Sequence, residues 1–176
     1  MGGFPVLGPS PRRWAGRAAA LGAAAVLGLH TFVVQVSVVR GHSMEPCLRD
    51  GDRLVVERPG LMHEVGDFGR FDVVILGNPR EPSVDYVKRV VGLPGDRVSL
   101  RDGQLHIDDH PVPEGFAPIL DAETTGDVVV PAGYVWVLGD NRPVSADSRS
   151  FGLVPMELIR GRVCARIWPP ARLTVF

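Results

Sequence analysis

Residues 18–39 (AAALGAAAVLGLHTFVVQVSVV) run for 22 positions without a charged side chain. As a helix rising ~1.5 Å per residue, the run reaches ~33 Å, enough for a hydrocarbon core of ~30 Å. Arg12, Arg13 and Arg17 lie on its N-terminal flank, and no acidic residue precedes Glu45. The positive-inside rule then keeps that flank in the cytoplasm and sends the rest of the chain outward. His30 and Gln35 are polar interruptions of the span. A secretory signal peptide also has a basic start, but its apolar stretch is ~7–15 residues, and no clean small-x-small site closes this run. The expected organisation is a cytoplasmic tail (1–17), a transmembrane anchor (18–39) and an extracytoplasmic domain (40–176).

Beyond residue 40 the pattern is β. Short runs rich in Val, Ile and Leu recur between turn signals: Arg53–Val56, Phe71–Leu76, Val84–Val91, Arg97–Leu100, Leu105–Ile107, Val128–Val130, Tyr134–Leu138, Val163–Ile167 and Arg172–Phe176. The 21 Gly and 16 Pro residues agree with many turns and short strands. Asp102-Gly103 between two such runs predicts a hairpin. Met156–Arg160 fits one helical turn. Residues 101–131, richer in Asp, Pro and Gly, read as a small inserted β subdomain.

Charge and cysteine counts exclude several classes. With 19 basic and 20 acidic residues the net charge is −1, so a nucleic-acid partner has no whole-chain electrostatic footprint. Cys47 and Cys164 fit no metal-ligand spacing, and whether they pair is open. His63-Glu64 begins like H-E-x-x-H, but Asp67 stands where the second His belongs. His106-Ile107-Asp108-Asp109-His110 has metal-binding composition, yet a solvated hairpin tip accounts for it better. No metal and no cofactor are expected.

One count points to chemistry. Of 19 Lys and Arg residues, 18 are arginine and one, Lys88, is lysine. GC-rich codon usage explains the arginines; lysine, unlike arginine, can lose its proton near neutral pH. Alternation on Val84–Val91 puts Val84, Tyr86, Lys88 and Val90 on one face and Asp85, Val87, Arg89 and Val91 on the other. Arg89 is then placed to meet Asp85, and Lys88 has apolar or aromatic neighbours. Burial there lowers its pKa and makes the neutral amine a competent base; an edge lysine snorkelling to water is the alternative. Ser43, between Gly41 and Pro46, is a candidate nucleophile on a turn, although G-x-S-M-x-P also fits an ordinary loop. It matches neither a nucleophile elbow nor an S-x-x-K motif.

Three blocks in order resemble the bacterial type I signal peptidases, membrane-anchored Ser–Lys proteases, in their compact Gram-positive-like form. Gly41-His42-Ser43-Met44-Glu45-Pro46-Cys47-Leu48 resembles their serine block. Asp85-Tyr86-Val87-Lys88-Arg89-Val90-Val91-Gly92-Leu93-Pro94-Gly95-Asp96 is similar to their lysine block. Gly139-Asp140-Asn141-Arg142-Pro143-Val144-Ser145-Ala146-Asp147-Ser148-Arg149 is similar to their late block. Cys47 stands where the family usually has Thr. Gly41 stands where some members carry a second serine for the oxyanion hole.

The resemblance implies a mostly β fold: an antiparallel, barrel-like sheet preceded by one transmembrane helix. It implies Ser43 as nucleophile and Lys88 as general base, with an oxyanion hole of backbone N–H groups from Ser43 and Gly41. Ser145 would hydrogen-bond the Lys88 amine, Tyr86 would keep it dry, Asp147 and Arg149 would pair, and Asp140 and Asn141 would fix a turn. The implied substrates are secretory preproteins with small residues at positions −1 and −3, cut through an acyl-enzyme beside the lipid bilayer. Two other classes share features of this pattern. A Ser–Lys self-cleaving repressor has the β scaffold but needs a DNA-binding module, and the 39 residues before the β region are mostly apolar. A catalytically silent, membrane-tethered binding domain needs only the anchor and the sheet.

Overall fold

Val73-Val74-Ile75-Leu76 is a run of branched apolar residues without alternation, the pattern of a strand covered on both faces. In the computed structural model, which describes residues 34–58, 68–116 and 118–176, it forms the middle of the main sheet. Among the described residues twelve strands form: β1 (Val34–Val38), β2 (Arg53–Glu57), β3 (Val73–Asn78), β4 (Glu81–Gly92), β5 (Arg97–Arg101), β6 (Gln104–Ile107), β7 (His110–Pro111), β8 (Val128–Val129), β9 (Tyr134–Leu138), β10 (Val154–Pro155), β11 (Ile159–Trp168) and β12 (Thr174–Val175). One short helix, α1 (Ser148–Phe151), follows β9, and Met156–Leu158 forms a 3₁₀ turn where one helical turn was expected.

Eight strands make one sheet in the order β1-β2-β11-β3-β4-β9-β10, with β12 added to β11. The other four make a second sheet, β7-β6-β5-β8, spanning Arg97 to Val129. The pairings among β2 to β12 are antiparallel. Asp102 (φ 50°) and Gly103 (φ 78°) form the tight turn between β5 and β6.

Two expectations need correction. The main sheet is not a closed barrel: its path ends at β1 and at β10. A groove lies between β1 and the part of β4 from Asp85 to Lys88. Residues 34–38 of the expected span are also not helical. Val34–Val38 is a strand, because VQVSV alternates with period two and β-branched residues favour the pleated state. Residues 18–33 and the His63-Glu64 pair lie outside the described residues. Among the described residues no helix is long and apolar enough to cross a membrane.

Alternation on β3 feeds two cores. Val73 and Ile75 join Val39, Met44, Leu48, Leu54, Val56 and Val163 on one face. Val74 and Leu76 join Val90, Val135, Val137, Val154 and Ile159 on the other. A third cluster, including Val91, Val98, Leu100, Leu105 and Trp136, joins the two sheets. Each such side chain stabilises the fold by roughly 1.5–3 kcal/mol relative to exposure. The first core underlies the Ser43 loop, and the second lies on the face of β4 that carries Tyr86 and Val90.

Candidate active site

The chain leaves β1 and turns at Gly41, whose φ of +86° is a left-handed conformation that glycine adopts without strain. Met44 and Leu48, both buried, plug the loop into the core, and Leu48 N–H donates to Met44 C=O at 2.8 Å. Its far end is tied down by Asp52, which is 2% exposed. Asp52 accepts from Arg49 N–H (2.9 Å) and pairs with Arg172 (3.1 Å) and Arg166 (3.5 Å). Both arginines also donate to Cys47 C=O. Asn141 clamps the near end: its N–H donates to Ser43 C=O at 3.0 Å and its Nδ2 to His42 C=O at 3.2 Å. Ser43 therefore sits on a turn fixed at both ends.

Lys88 comes from β4. Its Nζ lies 2.7 Å from Ser43 Oγ and donates to Val87 C=O at 3.1 Å. The residue is 2% exposed. Val90, on the same face, is fully buried, and the Tyr86 ring centroid is 5.2 Å from the amine. Burial pulls the Lys88 pKa down from 10.5 to about 8; Asp147 and Asp140 partly oppose the shift and Arg149 adds to it. An amine with that pKa is largely charged at pH 7 but has a substantial neutral fraction. In that form it can accept the Ser43 proton.

The carboxylates around the lysine are themselves held. Asp140, 1% exposed, takes a two-point contact from Arg89: Nε to Oδ1 at 2.8 Å and Nη2 to Oδ2 at 2.6 Å. Arg89 also donates to Phe71 C=O and stacks over Phe116 at 3.9 Å. The local Arg89–Asp85 pairing expected on β4 is not made, because Asp85 pairs with Arg160 at 2.9 Å. Asp147 caps α1, accepts from Gly139 N–H at 3.0 Å and pairs with Arg149 at 2.8 Å. Arg149 reaches further, to Asp121 (2.7 Å), Glu123 (2.8 Å) and Arg142 C=O (2.7 Å), so it ties the loop after β9 to the segment before β8.

Two expected contacts are absent. Ser145 does not bond Lys88; among the described residues its buried Oγ has no hydrogen-bond partner, and the amine turns instead to Ser43 and Val87. Gly41 N–H is taken by Asp50 Oδ1 at 2.9 Å, which removes it as an oxyanion donor. Tyr86 does flank the amine, with its hydroxyl accepting from Asn78 Nδ2 at 3.3 Å. His42 turns to Glu45 (3.0 Å), whose hydrogen bond raises the imidazole pKa. Cys47 and Cys164 are both free thiols. His106 and His110 each bond a backbone carbonyl of their own hairpin.

Sequence reasoning passed over Asp52 and Arg166, gave Arg89 another partner and assigned Gly139 no role, although all four shape the site. Gly139 illustrates why: its role depends on a neighbour far along the chain. A Cβ there would stand 2.1 Å from Ser145 Oγ and 2.5 Å from Ser43 C=O. Gly139→Ala should cost about 1–3 kcal/mol and slow cleavage by displacing the Ser43 backbone. Urea melts together with initial rates measure both, and an unchanged midpoint and rate would refute the close-packing argument.

The site opens into a groove of about 570 Å³ between β1 and β4. Met44, Leu54, Ile75 and Val87 form its apolar side, and Ser43 and Lys88 lie in its wall. Val36 and Val38 of β1 line the opposite rim. The arrangement combines a hydroxyl, a buried amine within hydrogen-bond reach and a cleft shaped for an extended chain. Those are the requirements for acyl transfer.

Comparison with known proteins points to a single family. The model described as "Signal peptidase, peptidase S26" matches residues 12–168. Signal peptidase I of Bacillus caldolyticus is 40% identical over 159 residues, covering 82% of this chain and 85% of the relative. Mitochondrial inner membrane protease subunit 1 of Xenopus tropicalis is 36% identical over 138 residues, 78% of this chain and 71% of the relative. A crystal structure of a signal peptidase I from Enterococcus faecalis is 34% identical, with a TM-score of 0.48, covering 55% of this chain and 96% of that one.

Proposed function

The chain belongs to the S26 family of signal peptidases and is a serine peptidase, and from that premise we propose that Ser43 and Lys88 form the dyad that cuts signal peptides from secretory preproteins. The observation that carries the reading is the 2.7 Å contact between Lys88 Nζ and Ser43 Oγ, made by a buried amine whose pKa is pulled down to about 8.

Neutral Lys88 accepts the Ser43 proton as Oγ attacks the scissile carbonyl. The Ser43 N–H makes no hydrogen bond among the described residues and is the donor best placed for the oxyanion. The lysine ammonium returns its proton to the leaving amine, which leaves an acyl-enzyme on Ser43. Lys88, neutral again, takes a proton from water as its oxygen attacks the ester, then gives that proton to Ser43 Oγ as the C–Oγ bond breaks, restoring the serine and the neutral amine. Asn141 holds the Ser43 backbone still through these steps. Asp140, Asp147 and Arg149 act as supporting groups: the first two hold back the fall in the lysine pKa, and Arg149 locks Asp147 in place.

An extended precursor fits against the exposed edges of β1 and β4, where backbone groups can pair with it. The apolar floor of Met44, Leu54, Ile75 and Val87 suits small residues at −1 and −3. Residues 40–176, with β1 added to their sheet, act as the catalytic domain outside the membrane, and 1–17 as the cytoplasmic tail. The apolar run before β1, shortened by the strand, is the anchor. Half-exposed Ile167, Trp168 and Leu173 support contact between the catalytic domain and lipid.

Ser43→Ala should lower precursor cleavage by about 10⁴-fold or more while leaving the fold intact. Gel-based cleavage of a preprotein panel, with circular dichroism as the folding control, measures this. Cleavage retained within tenfold of the wild type would remove Ser43 from the mechanism.

A further inference from the structure

The groove does not end at its apolar floor. Beyond Asp85 it continues into a pocket of about 390 Å³ bounded by Gln35, Val56, Arg58, Ile75, Asp85 and Arg160. Its walls are unlike the floor. Arg58 Nη2 donates to Gln35 Oε1 at 3.3 Å on one side, and Arg160 pairs with Asp85 at 2.9 Å on the other.

Arg160 is held in position. Its guanidinium packs on Gly77, where a Cβ would stand 3.3 Å from Nη2, and it donates to Pro82 C=O. Fixing a guanidinium in advance lowers the entropy lost when it binds a further acceptor. The Asp85–Arg160 pair is about half exposed on both sides, so it adds little stability and exchanges partners at low cost. With two cations and one anion, the pocket carries an excess of positive charge.

Position in the substrate follows from strand geometry and rests on the reading of Ser43 and Lys88 given above. Asp85 precedes Lys88 by three residues, or ~10 Å along a strand. A chain with its −1 residue at Ser43 brings −4 level with Asp85. Alternation turns −1, −3 and −5 toward the floor, so −5 is the side chain that enters the pocket beyond Asp85. We infer that this pocket is a subsite for the −5 residue of the precursor, in which Arg58 and Arg160 select a hydrogen-bond acceptor (Asp, Glu, Asn or Gln) and disfavour Lys and large apolar side chains. The subsite sets the register of the cut: it admits the polar stretch of a signal peptide and turns away its apolar stretch.

The test uses one preprotein carrying Glu, Gln, Ala, Leu or Lys at −5, with small residues kept at −1 and −3. For the full-length wild type, kcat/KM should fall from Glu and Gln through Ala to Leu and Lys, with Glu about two- to fivefold above Ala. Arg160→Glu should reverse the order of Glu and Lys, each read as its ratio to the Ala precursor in the same variant. Arg58→Ala, on the opposite wall, should weaken the same preference and guards against misfolding of the first variant. An unchanged ranking in both variants overturns the subsite and leaves the Ser43–Lys88 reading standing. Failure of the wild type to cut any precursor overturns that reading and this one with it.

Discussion

Lys88→Met should give a folded chain that cleaves precursors at least about 10³-fold more slowly than the wild type, and Lys88→Arg should be no better. Methionine fills the space but has no proton acceptor, and arginine keeps the charge without being able to lose it. In the wild type, only the neutral amine is competent. With a pKa of about 8, kcat/KM should rise about tenfold per pH unit below 8 and level off above it, so that pH 6 retains about one hundredth of the plateau. A profile flat from pH 6 to 9 would mean that Lys88 is not the titrating base.

The same burial predicts a gain in stability. The folded-state pKa lies below the unfolded value near 10.5, so the unfolded chain binds more protons between pH 8 and 10.5. Wild-type stability therefore rises through that window, and the cost of burying the amine is felt in full below pH 8. Lys88→Met removes that cost. The variant should be more stable by on the order of 1–3 kcal/mol at pH 6–7, with the difference fading toward pH 10.5. Denaturant midpoints across this range read it directly, and an inactive variant no more stable than the wild type would contradict the buried-amine account.

Asp140→Ala carries the largest expected loss of stability, about 3–5 kcal/mol, because it strands the Arg89 guanidinium beneath the site without its two-point partner. Replacing both members, as in Arg89→Met with Asp140→Leu, should recover much of that loss, since two buried charges are then exchanged for apolar packing. Asp140 also holds the lysine pKa up. Whatever activity Asp140→Ala retains should therefore have its acid limb shifted to lower pH. Equal destabilisation by the single and double replacements would show that the pair matters for shape rather than for charge compensation.

The central strand of the site was legible before any coordinates. Val84–Val91 alternates, and from that pattern came the separation of Tyr86, Lys88 and Val90 from Val87 and Arg89, which the two cores on β3 reproduce. The partner of Arg89 was not legible. Asp85 shares its face of the strand four residues away, whereas Asp140 lies 51 positions along the chain and reaches Arg89 only because β9 pairs with β4. Val34–Val38 falls within the expected membrane span because no charge marks a boundary in the run; the short alternation VQVSV and pairing with β2 make it a strand.

Local pattern is enough to set which side chains share a face, where turns need glycine, and which single lysine has apolar neighbours. These properties depend on backbone geometry over a few residues, so they suffice for the β pattern and for Lys88 as a candidate base, whereas the pairing of Ser43 with Lys88 comes from the resemblance of the three blocks. Distances between groups far apart in the chain depend on how strands pair and sheets curve. Strand pairing and packing are what spend the Gly41 N–H on Asp50, turn Ser145 away from the amine and leave the main sheet open. They also bring Lys88 within 2.7 Å of a serine 45 positions earlier, since packing and desolvation act between neighbours in space.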